Sequence, residues 1–375
     1  MSDQIAEPDR IEGAPHPRET TRLYGHAGAE ASFLTAYNTG RLHHGWLISG
    51  PSGVGKATLA WRFARFLLAS PVPDGGMFDP APPTTLNIAP DHPVARRMLA
   101  LAEGRLFLLR RGLNDKETAL SADIRVDEVR RMKSFFTLSA ADGGRRVAII
   151  DSADDMNPPA ANALLKLLEE PPANVTLFLI SHQPHRLLAT IRSRCRELRL
   201  APLPADTLAT ALSAAGGTLD ASQVQPMAEL ASGSVGEAFR LTNQDGLAVY
   251  AGLIRLFATL PRLDRPEALK LAETSAGRGA ETQFDLIVTL LDLFLARLAR
   301  AAATTTPPSE AAQGEATLIA RLGAPPGAAL VWADLAQSLT IRARRGRAVN
   351  LDPAALLMDM LLKIDETAGT LLAPR

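Results

Sequence analysis

The chain has 375 residues, 40 basic and 40 acidic side chains, and a formal net charge of zero. That balance excludes a bulk field toward nucleic acid or membrane and leaves only local patches. With 46% hydrophobic and 21% charged residues the composition is that of a globular chain of two or three domains, and the single cysteine, Cys195, excludes an internal disulfide or a cysteine-cluster zinc site.

In chain order, residues 1–20 are polar, lack the apolar core of a signal peptide, and read as a flexible N-terminal arm. A strand is expected over Trp46–Ser49, then a glycine turn, then a helix from Lys56 carrying Leu59, Phe63, Phe66 and Leu67 at helical spacing. Residues 70–93 are rich in Pro and Gly without periodicity, and read as an inserted loop. Further strands are expected at 105–111, 145–151, 174–181 and 196–200. Between them lie an amphipathic helix with Val126, Val129, Met132 and Phe136 on one side, and a second helix capped by Asn157, opened by Pro158 and stopped by Pro171-Pro172. Alternating strands and helices imply an α/β domain built on a parallel sheet covered on both faces, over about 21–200.

Strands cease after residue 201. Helices are expected over 204–215 and 223–232, making a small helical domain over 201–243, and the remainder, 244–375, reads as all-helical. Phe284, Ile287, Val288, Leu291, Leu295 and Leu298 form a long apolar face available to partner helices. The same stretch is broken by Asp285, Asp292 and Arg297, so no membrane span is expected and the cytoplasm is the default location. Residues 301–316 read as a polar linker, and a last helix starts at Asp352-Pro353 with Leu356, Leu357, Met360, Leu361 and Ile364 on one stripe.

The chemistry concentrates at "GPSGVGKATLA", residues 50–60. Gly50, Gly53 and Gly55 let backbone N–H groups converge on an anion at a helix N-terminus, and Lys56 adds a point charge for phosphates. The next residue in such a loop should be a Ser or Thr that ligates Mg²⁺; here it is Ala57, and Thr58 is one step late, about 100° further round the helix. The third strand ends in Asp151, where a metal-holding Asp should be followed by a water-positioning Glu, but Ser152 follows, and a hydroxyl is no general base near neutral pH. Asp151 also reads as a strand-end cap, and Asp154 and Asp155 as solvated or capping. His182 and His185 lack an evident third metal ligand, and His43-His44 belong to the turn before the first strand.

Taken with this loop, "NALLKLLEEPPANVTLFLISHQPHRLLATIRSRC" (residues 162–195) resembles the clamp-loader branch of the AAA+ ATPases. The resemblance spans about residues 20–200 and rests on the glycine loop, the Leu-Glu-Glu-Pro-Pro helix end, Ser181 at the end of the fourth strand, and Ser193-Arg194-Cys195. It implies that Arg194, framed by Ser193 and Cys195, reaches in trans onto ATP held by a neighbouring subunit. It also implies a lid domain over 201–243, where the family's Gly-Ser-x-Arg-x-Ala motif reads Gly233-Ser234-Val235-Gly236, without the arginine. The losses at Ala57, Ser152 and Gly236 are all functions in cis; the function in trans, Arg194, is retained.

The resemblance therefore implies a ring member of the DNA polymerase holoenzyme with no ATPase of its own. Nucleotide in the degenerate site of Gly50, Gly53, Gly55, Lys56, Thr58 and Asp151 is not required, and zinc is not expected, since the Pro-rich loop stands where relatives carry a four-cysteine module. The implied partners are ATPase subunits of the gamma/tau type, a delta-type subunit, the sliding clamp indirectly, and primed DNA within the assembly, with 244–375 as the collar. The rival readings are an active loader ATPase, which needs substitutes for Ala57 and Ser152, and a stand-alone P-loop enzyme, which leaves Ser193-Arg194-Cys195 and the helical C-terminal third without a purpose.

Overall fold

The computed structural model describes residues 7, 10–71, 81–114, 120–138, 144–275, 277, 280–304 and 308–373. Five parallel strands, β1 (Gly45–Ser49), β2 (Leu106–Leu109), β3 (Arg146–Ile150), β4 (Val175–Ser181) and β5 (Arg196–Arg199), stand in the order β2-β3-β4-β1-β5. Ser49 pairs with Ser181 and Ile150 with Leu179, so the chain leaves β3, β4 and β1 at Asp151, His182 and Gly50 along one edge of the sheet. In open parallel sheets that carboxyl-end edge is where ligands bind.

Side chains alternate along each strand and feed two cores. Trp46, Ile48, Phe178 and Ile180 join Phe33 and Phe63 on one face, whereas Leu47, Leu177 and Leu179 join Leu164, Leu167 and Ile191 on the other. The first face is covered by α1 (Ala27–Asn38), α2 (Lys56–Ala69) and α3 (Pro93–Leu99), with the Phe33 and Phe63 rings stacked at 3.8 Å. The second is covered by α4 (Val126–Leu138), α5 (Pro158–Glu169) and the short α6 (Ala189–Arg192). Asn157 caps α5 as its type predicts, its side chain accepting from the Ala160 amide at 3.0 Å.

Two details depart from the sequence reading. Helix α3 closes the Pro-rich stretch and was not anticipated: it is opened by Pro93 and capped by the His92 ring, outside the usual capping residues. Residues 72–80 of that insertion lie outside the described residues. The described part of the N-terminal arm, 10–20, packs along α2. Buried Arg65 donates to the Arg18 carbonyl at 2.7 Å, buried Arg62 holds the Thr21 carbonyl and Glu30, and His16 is 1% exposed beside Trp61.

The chain forms two compact units, residues 1–218 with 233–237, and residues 219–232 with 238–375. The expected lid region is thus shared: α7 (Ala205–Ala214) lies in the first unit and α8 (Val224–Ala231) in the second, while α9 (Val235–Asn243) begins in the first. The second unit continues with α10 (Gly246–Phe257), α11 (Arg265–Glu273), α12 (Glu281–Thr304), α13 (Glu315–Gly323), α14 (Ala328–Ala348) and α15 (Pro353–Leu372).

Helix α12 is the axis of that unit. The face expected to await partner helices is corrected here: Phe284, Ile287, Leu291, Leu295 and Leu298 are at most 2% exposed and packed within their own unit. Charge is buried there too. Arg297 donates to Glu315 Oε1 at 2.7 Å, to Glu229 Oε2 at 2.9 Å and to the Ser309 carbonyl at 2.6 Å. The Tyr250 hydroxyl donates to the same Glu315 oxygen at 2.6 Å, and the Ala311 amide to Oε2 at 2.6 Å. Burial, then the Glu315 charge, pushes the Tyr250 phenol well above its ordinary range. Among the described residues no helix is long and apolar enough to cross a membrane.

Candidate functional site: the glycine loop and Arg194

The loop between β1 and α2 bends as its glycines require. Gly50, Gly53 and Gly55 have φ of 141°, 71° and 103°, and Gly55 is the N-cap of α2. At Gly53 the requirement is also steric, since a Cβ would stand 2.3 Å from Ser234 Oγ and 3.0 Å from the Gly236 backbone. The Gly236 amide donates to the Gly53 carbonyl at 3.1 Å. Ser234 caps α9, its hydroxyl accepting from the Glu237 amide at 3.1 Å. The turn that stands in place of the sensing arginine therefore lies backbone to backbone on the phosphate loop. A side chain at 236 would itself meet Gly53 Cα at 3.0 Å and Ile11 Cδ1 at 2.7 Å, so the loop would have to yield.

Lys56 is 3% exposed and folds back on its own loop, donating to the Gly50 carbonyl at 2.7 Å and to the Pro51 carbonyl. Burial pushes its ammonium down to about 8, against the opposing pull of Asp154 and then Asp151. The unfolded chain keeps this proton to about pH 10.5, so between pH 8 and 10.5 it binds more protons than the folded chain and stability rises with pH. The stability of the unmodified chain relative to Lys56→Met is accordingly expected to increase from pH 8 to 10. Urea denaturation of both at several pH values tests this, and a difference that stays flat would return Lys56 to an ordinary lysine. The Ala57 methyl packs against the first core, and Thr58 is half-buried one residue further along α2.

Asp151, 8% exposed, continues the β2–β3 pairing through its amide, which donates to the Leu109 carbonyl at 2.8 Å. Ser152, standing where a catalytic Glu would be, sits in the left-handed region at φ 53°, and its hydroxyl lies 3.3 Å from His182 Nε2. The His182 ring is held below the ordinary imidazole range by desolvation and then by the Lys56 charge, against the opposing pull of Asp154. Asp154 ties this corner together, accepting from Ser181 Oγ at 2.5 Å, from the Gln183 amide at 3.1 Å and from the His182 amide. This is the capping option of its sequence reading, at a distance along the chain that no local pattern announces. His26 was not singled out by the sequence at all; its Nε2 donates to the Val54 carbonyl at 2.9 Å and braces the loop from behind.

Arg194 stands apart from these groups, on the turn between α6 and β5. Ser193 Oγ and Arg194 Nη1 both donate to the Thr190 carbonyl, at 3.1 and 3.0 Å, and Arg194 Nη2 pairs with Glu169 Oε1 at 3.0 Å. The Arg194 side chain remains 37% exposed. Cys195 points the other way, into the second core; Gly45 is so close that a Cβ there would stand 3.3 Å from the Cys195 sulfur and from the Arg194 carbonyl. Ser ties the turn, Arg faces out and Cys anchors it. Burial pushes the thiol up to about 12.

Residues 25–204 match the family model described as DNA polymerase III, delta subunit. The match takes in the glycine loop, the whole sheet from β1 to β5 and the Arg194 turn. The chain is similar to the DNA polymerase III subunit delta′ of Pseudomonas aeruginosa, 40% identical over 161 residues covering 43% of this chain and 44% of that protein. It is similar also to subunit delta′ of Escherichia coli, 31% identical over 217 residues, 56% of this chain and 58% of that protein. The tau subunit of Escherichia coli is 27% identical over 278 residues, 72% of this chain and 40% of that protein. The chain spans about half the length of the two delta′ relatives it matches.

The resemblance to AAA+ ATPases implies a resident nucleotide with magnesium, and the residues around this glycine loop do not fit that pair. The position of the metal hydroxyl holds Ala57, packed into the core. Lys56 is engaged by the loop's own carbonyls, the carboxylate after Asp151 is missing, and the Ser234–Gly236 turn lies on Gly53. Among the described residues, no group of three or more His, Cys, Asp or Glu side chains is arranged to hold a metal ion.

Proposed function

We propose that the chain is a delta′-type, non-hydrolysing member of a clamp-loader ring, working in the cytoplasm to help load a sliding clamp onto primed DNA. Its contribution to catalysis is Arg194, supplied in trans to ATP held by a neighbouring gamma/tau-type subunit. The observation that carries the reading is a contrast between two sites: the loop that would bind nucleotide in cis is packed under the Ser234–Gly236 turn, while Arg194 is presented on a braced, exposed turn. Helices from residue 244 onward would form the collar. Its contact surface is then not the buried face of α12 but the exposed apolar side chains of α14, Leu330 at 74% and Ile341 at 44%.

The isolated chain is expected to show no ATPase and no shift in melting temperature with saturating ATP and Mg²⁺, because a ligand that binds the folded state must stabilise it. Ala57→Thr should not create turnover, and adding Ser152→Glu should not either. The turn over Gly53 remains in both variants. Turnover that survives purification and vanishes in Lys56→Ala would instead favour an active loader ATPase.

A further inference from the structure

We infer that Glu169, at the end of α5, is the positioning residue for the Arg194 guanidinium; this rests on the reading of Arg194 as a group acting in trans. The starting point is an oddity of helix electrostatics. Glu169 is the last residue of α5 and Glu170 its C-cap, so two carboxylates stand where the helix dipole is negative and where a cation is favoured. Lys166 is the one basic residue of that last turn, so the two carboxylates are only partly offset. Glu169 is 48% exposed, so its ion pair with Arg194 is a surface pair of the kind that contributes little to folding. A local rule broken without a stability gain marks a position kept for another purpose.

The geometry supplies the purpose. Both ends of the pair are mounted on rigid elements. The end of α5 is held by His44, whose Nε2 lies 3.0 Å from the Leu168 carbonyl, and by the Leu168 methyl packed close to Gly45. The Arg194 backbone is held by its amide, which donates to the Ile191 carbonyl at 3.1 Å, and by the half-buried Cys195 packed against the second core. Between these anchors the guanidinium is gripped at two nitrogens, Nη2 by Glu169 and Nη1 by the Thr190 carbonyl. Each of those nitrogens uses one of its two N–H groups, and Nε keeps its own, so donors remain for an incoming phosphate oxygen. A long flexible side chain is thereby fixed before its target arrives, which lowers the cost of reaching it in the transition state.

The test uses the reconstituted loader in which only the site facing Arg194 is active, the other ATPase sites being silenced through their own loop lysines. Glu169→Ala is expected to lower kcat at that site about tenfold with KM unchanged. Glu169→Gln, which keeps an acceptor oxygen, should recover most of the rate, and Glu170→Ala should behave as the unmodified chain. In an Arg194→Ala background, Glu169→Ala should add no further loss, since the two act as one unit. Assembly at unchanged stoichiometry is checked for each variant. If Glu169→Ala is as fast as the unmodified chain, or faster, while Arg194→Ala is impaired, the positioning role is wrong and the trans role of Arg194 stands. An additive loss in the Arg194→Ala background overturns the positioning role as well. If Arg194→Ala itself changes nothing, the reading of Arg194 fails and the role of Glu169 fails with it.

Discussion

Arg194→Ala in the reconstituted loader is expected to cut turnover at the facing site by ~10³–10⁵, the range an arginine supplied in trans commands in phosphoryl transfer. Total ATPase should fall only in part, because the other sites of the ring keep their own arginines. Clamp loading should fall further, since a ring that closes in order is limited by its slowest interface. Assembly should be unaffected: the Arg194–Glu169 pair is 37% and 48% exposed at its two side chains, and such surface pairs contribute about 0–1 kcal/mol. Arg192→Ala is the control, two residues away at the exposed end of α6 and outside the Ser193–Cys195 turn. Steady-state ATPase and clamp-loading rates at matched stoichiometry decide the matter. Equal loading by the Arg194 variant and the unmodified chain would reduce Arg194 to an ordinary surface arginine.

The second large effect is expected in the helical unit and concerns folding. Glu315 is 0% exposed and accepts from Arg297, Tyr250 and the Ala311 amide. Glu315→Ala leaves a buried phenol and a buried amide without this acceptor and a buried guanidinium with only Glu229 and the Ser309 carbonyl, a change that costs about 3–5 kcal/mol. Urea unfolding followed by far-ultraviolet circular dichroism, with segment-resolved hydrogen exchange to place the loss in residues 219–375, measures it. Arg297→Met combined with Glu315→Leu should recover part of that loss, because removing one partner of a buried pair costs more than replacing both by apolar side chains. A Glu315→Ala chain within about 1 kcal/mol of the original would show that water reaches the network and satisfies it.

What could be read from the sequence was what neighbouring residues determine. The strand, glycine turn and helix around Lys56 follow from local hydrophobic periodicity and turn chemistry, and Asn157-Pro158 announces the start of α5 through its own side chain and ring. Contacts between distant residues were not legible. Gly236 reads as a missing arginine, yet nothing in its neighbourhood indicates that its backbone will rest on Gly53. Asp154 reads as a solvated or capping acid, and only the adjacency of β3 and β4 brings it to Ser181 and the amides after it. The α12 periodicity identified an apolar face, but periodicity is silent on whether the covering helix comes from the same chain. The contacts of the arm were hidden for a similar reason: its polar composition gives no sign that Arg65, buried in α2, bonds to the Arg18 carbonyl.

The anchoring of Cys195 has a practical side. It is the chain's only cysteine, and with its thiol pushed up to about 12 only about one molecule in 10⁴ carries the reactive thiolate at pH 8. Maleimide and iodoacetamide reagents should therefore pass it by while the protein is folded. A cysteine introduced at an exposed position away from the α14 surface, such as Leu269, becomes the one labelled site without Cys195 being removed. Fluorescent probes placed in this way would report distances within an assembled ring while the Ser193–Cys195 turn stays intact.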